Sequence, residues 1–223
     1  MAKTKEKTGR DISKKRIRGI LDVLEKTYPD ARSGLRYANA FELLIAAILS
    51  AQTTDKQVNR ITKDLFERFP SPEDMAALSP EELEPYIKSC GVYRNKAKNI
   101  VGASRMLVER HDSKVPGDMQ ALLQLPGVGR KTANVVLANA FGANAIAVDT
   151  HVFRVANRLG LATAKDALHT EQQLMESIPE EKWSMAHHWL IWHGRRVCTA
   201  QKPKCRECPL QTLCRYYERL PEK

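Results

Sequence analysis

The stretch Leu125-Pro126-Gly127-Val128-Gly129-Arg130-Lys131-Thr132-Ala133-Asn134-Val135-Val136, running on through Phe141 and the apolar Ala145-Ile146-Ala147-Val148 to Asp149-Thr150-His151, decides how the chain is read. Met119, Leu122 and Leu123 mark the apolar side of a helical run that ends at Leu125. Pro126-Gly127-Val128-Gly129 cannot continue that run, and an apolar helical pattern resumes over Thr132 to Phe141. The pattern is a helix-hairpin-helix. Gly127 and Gly129 are expected to admit positive φ and to leave backbone N–H groups clear at the start of the second helix. A helix start of that kind is an anion site.

Two residues of this stretch can carry chemistry. Lys131 falls in the first turn of the second helix beside Arg130, where the helix dipole disfavours a cation. A phosphate ligand would offset this. So would a use for an amine whose pKa is pushed down by the dipole, the neighbouring cation and partial burial, since that makes a nucleophile. The plain alternative is a solvated surface lysine. Asp149 follows an apolar run and precedes a new amphipathic segment, which reads as a helix N-cap. A cap that faces a cleft can still be catalytic.

The chain of 223 residues is long enough for one generous domain or two small ones. It contains no apolar run of about 18 residues, so no membrane span is expected. Its first 18 residues carry eight lysines and arginines without an apolar core, so no secretory signal is expected; the first ten read as a basic arm. Thirty-six basic residues against 26 acidic ones give a net charge of +10. That favours polyanions, and nucleic acid over a membrane surface, because the charge is spread along the chain and accompanies a phosphate-ready hairpin.

Helical spacing recurs throughout and period-2 alternation hardly appears, so the fold class is all-α. Helices are expected over Ile12 to Tyr28, Phe41 to Leu49, Val58 to Phe69, Arg94 to Arg110, Asp118 to Leu125, His151 to Leu159, Thr170 to Ile178 and Glu181 to Val197. The nearly all-apolar Phe41 to Leu49 segment should be buried. Ser71-Pro72-Glu73 and Ser79-Pro80-Glu81-Glu82 are helix starts, with a serine cap, proline in the first helical position and acids in the first turn. Asp55 or Thr54 can cap the helix after Ser50-Ala51-Gln52-Thr53; Gln52 has no such role. Gly91-Val92-Tyr93-Arg94 is a second turn, whose Val92 either stands at a loop tip or folds back into the core. His187, His188 and His193, with Trp183, Trp189 and Trp192, crowd one helix. Core packing and surface histidines account for them better than metal ligation, because no carboxylate or cysteine completes a set within that helix.

Cys198, Cys205, Cys208 and Cys214 stand as C-x6-C-x2-C-x5-C. With no secretory signal expected, four cysteines so close mean metal rather than disulfides. A Cys₄ set suits zinc or an iron–sulfur cluster, and spacing does not decide between them. Lys202, Lys204 and Arg206 bracket the second ligand and suit a phosphate contact or the solvation of a small loop. Cys90 reads as a buried thiol.

Four motifs at their separations, L-P-G-V-G-R-K-T-A-N-V-V, A-V-D-T-H-V-F-R, L-L-I-A-A-I-L-S-A-Q-T-T-D and the cysteine spacing, resemble the bacterial endonuclease III family. These are pyrimidine-specific DNA glycosylase/AP lyases of the helix-hairpin-helix superfamily. The resemblance spans about residues 12 to 217. It implies two helical lobes flanking a DNA-binding cleft. Residues 33–143 would form a six-helix domain ending in the helix-hairpin-helix; residues 1–32 plus 144–223 would form a helical domain with a [4Fe–4S] cluster on Cys198, Cys205, Cys208 and Cys214.

By the same resemblance, Lys131 matches the Schiff-base lysine and Asp149 the catalytic aspartate. Gln52 matches the residue that fills the gap in the duplex. Val92, with Tyr93 beside it, falls where the family usually has a bulkier wedge, commonly leucine. Gly127, Val128, Gly129, Arg130, Thr132, Lys202, Lys204 and Arg206 would contact DNA, and Ser50, Asp55, Thr150 and His151 would line the substrate pocket. The implied partner is damaged double-stranded DNA, met by a monomer in the bacterial cytoplasm.

Two other classes remain in view. A monofunctional, adenine-removing enzyme of the same fold would generally lack the lysine at 131 and carry a glutamate where this chain has Ala46 and Ala47. A non-catalytic DNA-binding module with a zinc site would have no activity for Lys131→Ala to remove.

Overall fold

The computed structural model describes residues 12–220, so the basic arm read over the first ten residues lies outside them. Every regular element among the described residues is helical, as the spacing predicts. The chain divides into two compact units, Ser33–Ala145 and Met1–Arg32 with Ile146–Lys223.

The unit Ser33–Ala145 holds α2 (Ala40–Leu49), α3 (Asp55–Arg68), α4 (Pro72–Ala77), α5 (Pro80–Ile87), α6 (Tyr93–Arg110), α7 (Met119–Gln124) and α8 (Arg130–Ala140). These are the seven helices of the residue pattern, one more than the six the resemblance implies, because Ser71 and Ser79 each start a helix. Both serines close a reciprocal capping box, with Asp74 and Glu82 respectively. The helix α2 is the centre of the unit: Phe41 and every residue from Leu43 to Leu49 are buried, each buried Leu or Ile contributing roughly 1.5–3 kcal/mol. It packs on α3, α6 and α8. The unit runs to Ala145 rather than 143 because Ala145 is buried in this core while Ile146 is buried in the other.

The second unit holds α1 (Lys14–Thr27), α9 (Thr150–Leu159), α10 (Ala167–Ser177), α11 (Trp183–Arg196) and the short α12 (Arg215–Glu218), with single 3₁₀ turns at Glu180–Lys182, Cys205–Glu207 and Gln211–Leu213. Neither α12 nor these turns follows from hydrophobic periodicity, since four residues are too few to show one. The core joins Ile20 and Leu24 to Val152, Val155, Ala156, Leu159, Trp189 and Leu190. The helices α9 and α11 approach closely at Gly194, where a β-carbon would lie 3.0 Å from that of His151. No described helix is long and apolar enough to cross a membrane.

Candidate functional site

In Ser33–Ala145 the hairpin joins α7 to α8 through Leu125–Gly129. Leu125 and Val128 turn into the core, and Val128 N donates to Leu125 O at 3.1 Å. Gly127 has φ +77, and a β-carbon there would lie 2.7 Å from Asn99 Cβ. Gly129 departs from expectation. Its backbone is extended, φ −93 and ψ 174, and a β-carbon on it would meet nothing within 4 Å. The second glycine therefore supplies open space in front of α8 instead of a left-handed turn.

The start of α8 has no side-chain cap, which leaves its first N–H groups turned outward. Arg130 and Lys131 are exposed there and Thr132 is half-buried. The partial burial expected for the Lys131 amine is not found, because the first turn of α8 projects from the unit. Since the Val128 side chain is buried, any contact Val128 makes with a ligand is through its backbone.

The C-terminus of α2 leads to Ser50, whose Oγ donates back to Ala47 O at 2.7 Å. Thr54, not Asp55, caps α3. The half-buried Asp55 carboxylate lies over Gly34, where a β-carbon would collide with Oδ2. Gln52 is exposed at φ 55, and its side chain makes no hydrogen bond with the described residues. Val92 stands at a loop tip as the cap of α6, 53 % exposed at φ 56, not folded into the core. Tyr93 behind it is half-buried, with the Arg94 guanidinium carbon 5.7 Å from its ring centre.

In the other unit Asp149 caps α9, its Oδ1 accepting from His151 N and Val152 N, both at 2.8 Å. Its Oδ2 takes part in neither bond. Thr150 is exposed and His151 half-buried. Arg154 Nη2 lies 3.2 Å from His151 Nδ1; arginine can only donate, so Nδ1 accepts and the imidazole proton sits on Nε2. The same guanidinium donates to Gly194 O at 2.9 Å and to Cys198 O at 3.0 Å.

Cys198, Cys205, Cys208 and Cys214 line one small cavity with Leu159, His193, Val197, Pro203, Tyr216 and Tyr217. Among the described residues no three His, Cys, Asp or Glu side chains close on a point as one metal ion requires; the sulfurs surround a space. That arrangement fits a [4Fe–4S] cluster, with one thiolate to each iron. Burial pushes the thiols of Cys205 and Cys214 up and that of Cys208 to about 11, so a cationic iron centre is what would hold them as thiolates. Arg158 Nη1 lies 3.4 Å from Cys198 Sγ and 2.7 Å from Thr199 O. His193 Nε2 lies 3.5 Å from Cys208 Sγ and its Nδ1 3.0 Å from the Tyr28 hydroxyl. His187, His188 and His193 are all buried. Lys202, Lys204 and Arg206 are exposed around the loop.

Arg154 and Arg158 are not legible as site residues in the sequence, and His193 is read there only as one of three histidines packed on one helix, not as a neighbour of Cys208. The one available signal was the i, i+4 pair of arginines on the helix that Asp149 opens.

A hairpin ending in an uncapped helix start, with a four-cysteine loop in the same chain, defines a class, and the comparisons agree. The model of the HhH-GPD superfamily of base excision DNA repair proteins matches residues 45–180, and that of the iron–sulfur binding domain of endonuclease III matches residues 198–214. The chain is 51 % identical to endonuclease III of Bacillus subtilis over 95 % of this chain and 97 % of that one. It is 47 % identical to endonuclease III of Escherichia coli K12 over 90 % and 95 %. A solved trapped covalent intermediate of an endonuclease III with DNA, the estranged-adenine complex, superposes with TM-score 0.89 at 51 % identity, covering 93 % of this chain and 98 % of that one. The chain belongs to the endonuclease III family of the HhH-GPD superfamily.

Proposed function

We propose that the protein is a base-excision DNA glycosylase with AP lyase activity that removes oxidised pyrimidines, of the thymine glycol type, from duplex DNA. The observation that carries this reading is Lys131, an exposed amine in the uncapped first turn of the hairpin's second helix. A related endonuclease III is captured as a covalent intermediate with DNA, and an exposed amine is a group able to form such a bond.

The damaged nucleotide leaves the stack, at low cost because it pairs or stacks poorly. Gln52 fills the gap and Val92 wedges the strand beside it, while Tyr93 backs the wedge. The N–H groups around Gly127, Val128, Gly129, Arg130 and Thr132 hold backbone phosphates without reading sequence. Lys202, Lys204 and Arg206 add phosphate contacts. Ser50 and Asp55, and in the other unit Thr150 and His151, are the residues that contact the extruded nucleotide.

The neutral Lys131 amine attacks C1′, the bond from C1′ to the base breaks, and the base departs with a proton. Opening of the sugar ring leaves an imine between Nζ and C1′. The imine acidifies the C2′ proton, whose removal expels the 3′ phosphate and nicks the strand. Asp149 takes a proton from the amine and stabilises positive charge on the sugar, through the oxygen its cap does not use. No step transfers an electron. Cys198, Cys205, Cys208 and Cys214 would hold the [4Fe–4S] cluster, which when bound ties the 198–214 loop together at four points. The protein works as a monomer in the bacterial cytoplasm.

Borohydride trapping on a duplex with one thymine glycol tests the reading. A covalent protein–DNA band is expected with the wild type and not with Lys131→Ala. Free base without a band would make the enzyme monofunctional; neither band nor base would leave a binding module.

A further inference from the structure

Lys96 lies in α6 on the stripe that buries Ile100 and Leu107 and is itself only 4 % exposed. Its ammonium donates to Leu49 O at 2.8 Å, Ala51 O at 2.6 Å and Thr53 Oγ1 at 2.9 Å. Three donors meet three acceptors. Leu49 ends α2, where carbonyls lack helical partners and the dipole favours a cation. Burial pushes the Lys96 pKa down, so holding this charge inside the unit is costly. A helix end can be closed without a buried ammonium, by glycine or water. Something other than the helix end therefore accounts for it.

The acceptors point to what that is. Ala51 and Thr53 are the two neighbours of Gln52, so the ammonium grips the chain on both sides of a residue held at φ 55. Val92, another exposed residue at positive φ, opens the helix that carries Lys96, whose N–H donates to Val92 O at 3.2 Å as the first backbone bond of α6. The ammonium thus ties the chain on either side of Gln52 to the first turn of α6.

We propose that Lys96 is a positioning residue for duplex recognition, its ammonium holding Gln52 in the conformation that enters the DNA. The proposal rests on the reading of Gln52 given above. Lys96 itself touches no substrate.

The test is a double-mutant cycle of Lys96→Met and Gln52→Ala, read by single-turnover excision from a thymine glycol duplex. It runs beside borohydride trapping on a single-stranded abasic oligonucleotide, which has no gap to fill. Lys96→Met is expected to slow duplex excision about 10- to 100-fold, the effect of losing hydrogen bonds to a charged group. The double variant should fall within about threefold of Gln52→Ala alone, because the residue that Lys96 acts through is already gone. Single-stranded trapping should stay within about twofold of wild type on the same ground.

Additive losses, or an equal loss on the single strand, would overturn the proposal in favour of general packing. If circular dichroism shows Lys96→Met unfolded, Thr53→Val removes one acceptor only. It should slow duplex excision about threefold to tenfold with the same split between substrates, and an unchanged duplex rate would overturn the proposal. A wild type inactive on both substrates would remove the functional reading and the proposal with it. An active wild type matched by Lys96→Met removes the proposal alone.

Discussion

Gln52 and Val92 share a backbone conformation, φ 55 and φ 56, on adjoining loops: a β-carbon on Gly91 would lie 3.5 Å from Gln52 O. Left-handed backbone is uncommon for glutamine and an outlier for a β-branched residue. It costs about 1–2 kcal/mol, and such strain gathers at functional sites. Val92→Gly relieves it and, since Val92 is 53 % exposed, gives up little packing. The variant is expected to gain about 1 kcal/mol in urea unfolding while excising more slowly from a duplex, because no wedge remains. A variant both more stable and as fast as wild type would deny Val92 its role.

The two hairpin glycines separate folding from binding. Gly127→Ala places a β-carbon at φ +77 and 2.7 Å from Asn99 Cβ, so a loss of about 2–3 kcal/mol is expected. Gly129→Ala meets nothing within 4 Å at an extended φ of −93, and its stability should stay within about 0.5 kcal/mol of wild type. Its DNA affinity should still drop, because the methyl group occupies the space a phosphate would use. Unfolding curves beside fluorescence anisotropy with an abasic-analogue duplex check both; full affinity in Gly129→Ala would place the phosphate elsewhere.

What the sequence discloses about this molecule is what local chemistry determines. The Ser71 and Ser79 starts and the Asp149 cap each depend on residues within four positions of one another and form as read, and so does the hairpin turn at Gly127. The Lys96 ammonium is different, since its acceptors lie 43 to 47 residues away and only packing of α6 against α2 brings them together. A lysine on an apolar stripe was the visible trace. Arg154 and Arg158 reach carbonyls of the cysteine loop 41 to 44 residues on, so cysteine spacing could propose the metal site without its supports. Gly129 differs from the sequence expectation because glycine signals both a left-handed turn and an empty space, and the fold around it decides between the two.

Asp149 combines a structural and a chemical task that two substitutions can part. Asn keeps an oxygen for His151 N and Val152 N, so Asp149→Asn should be as stable as wild type to within about 0.5 kcal/mol, whereas Asp149→Ala loses the cap and about 1 kcal/mol. Both remove the carboxylate, and base excision should fall by about 10²- to 10⁴-fold in each. Thermal unfolding and single-turnover excision measured together decide the matter. If Asp149→Asn excises at the wild-type rate, the residue is a cap only.

Acid should unfold the protein partly through His188. This residue of α11 is buried, and burial, with the neighbouring His187, holds its pKa near about 4 against an ordinary 6.5. Above pH 6.5 the imidazole is neutral in folded and unfolded chains alike, and its contribution to stability is complete. Between 6.5 and 4 the unfolded chain takes up a proton that the fold refuses, so stability declines as pH falls; below 4 both states are protonated and the decline ends. The shift corresponds to about 3 kcal/mol. His188→Gln cannot take the proton, so urea unfolding of wild type and variant at pH 7.5 and pH 4.5 should show the wild type losing about 2–3 kcal/mol more than the variant. Equal losses would mean that the imidazole is protonated without unfolding, through a local opening of α11.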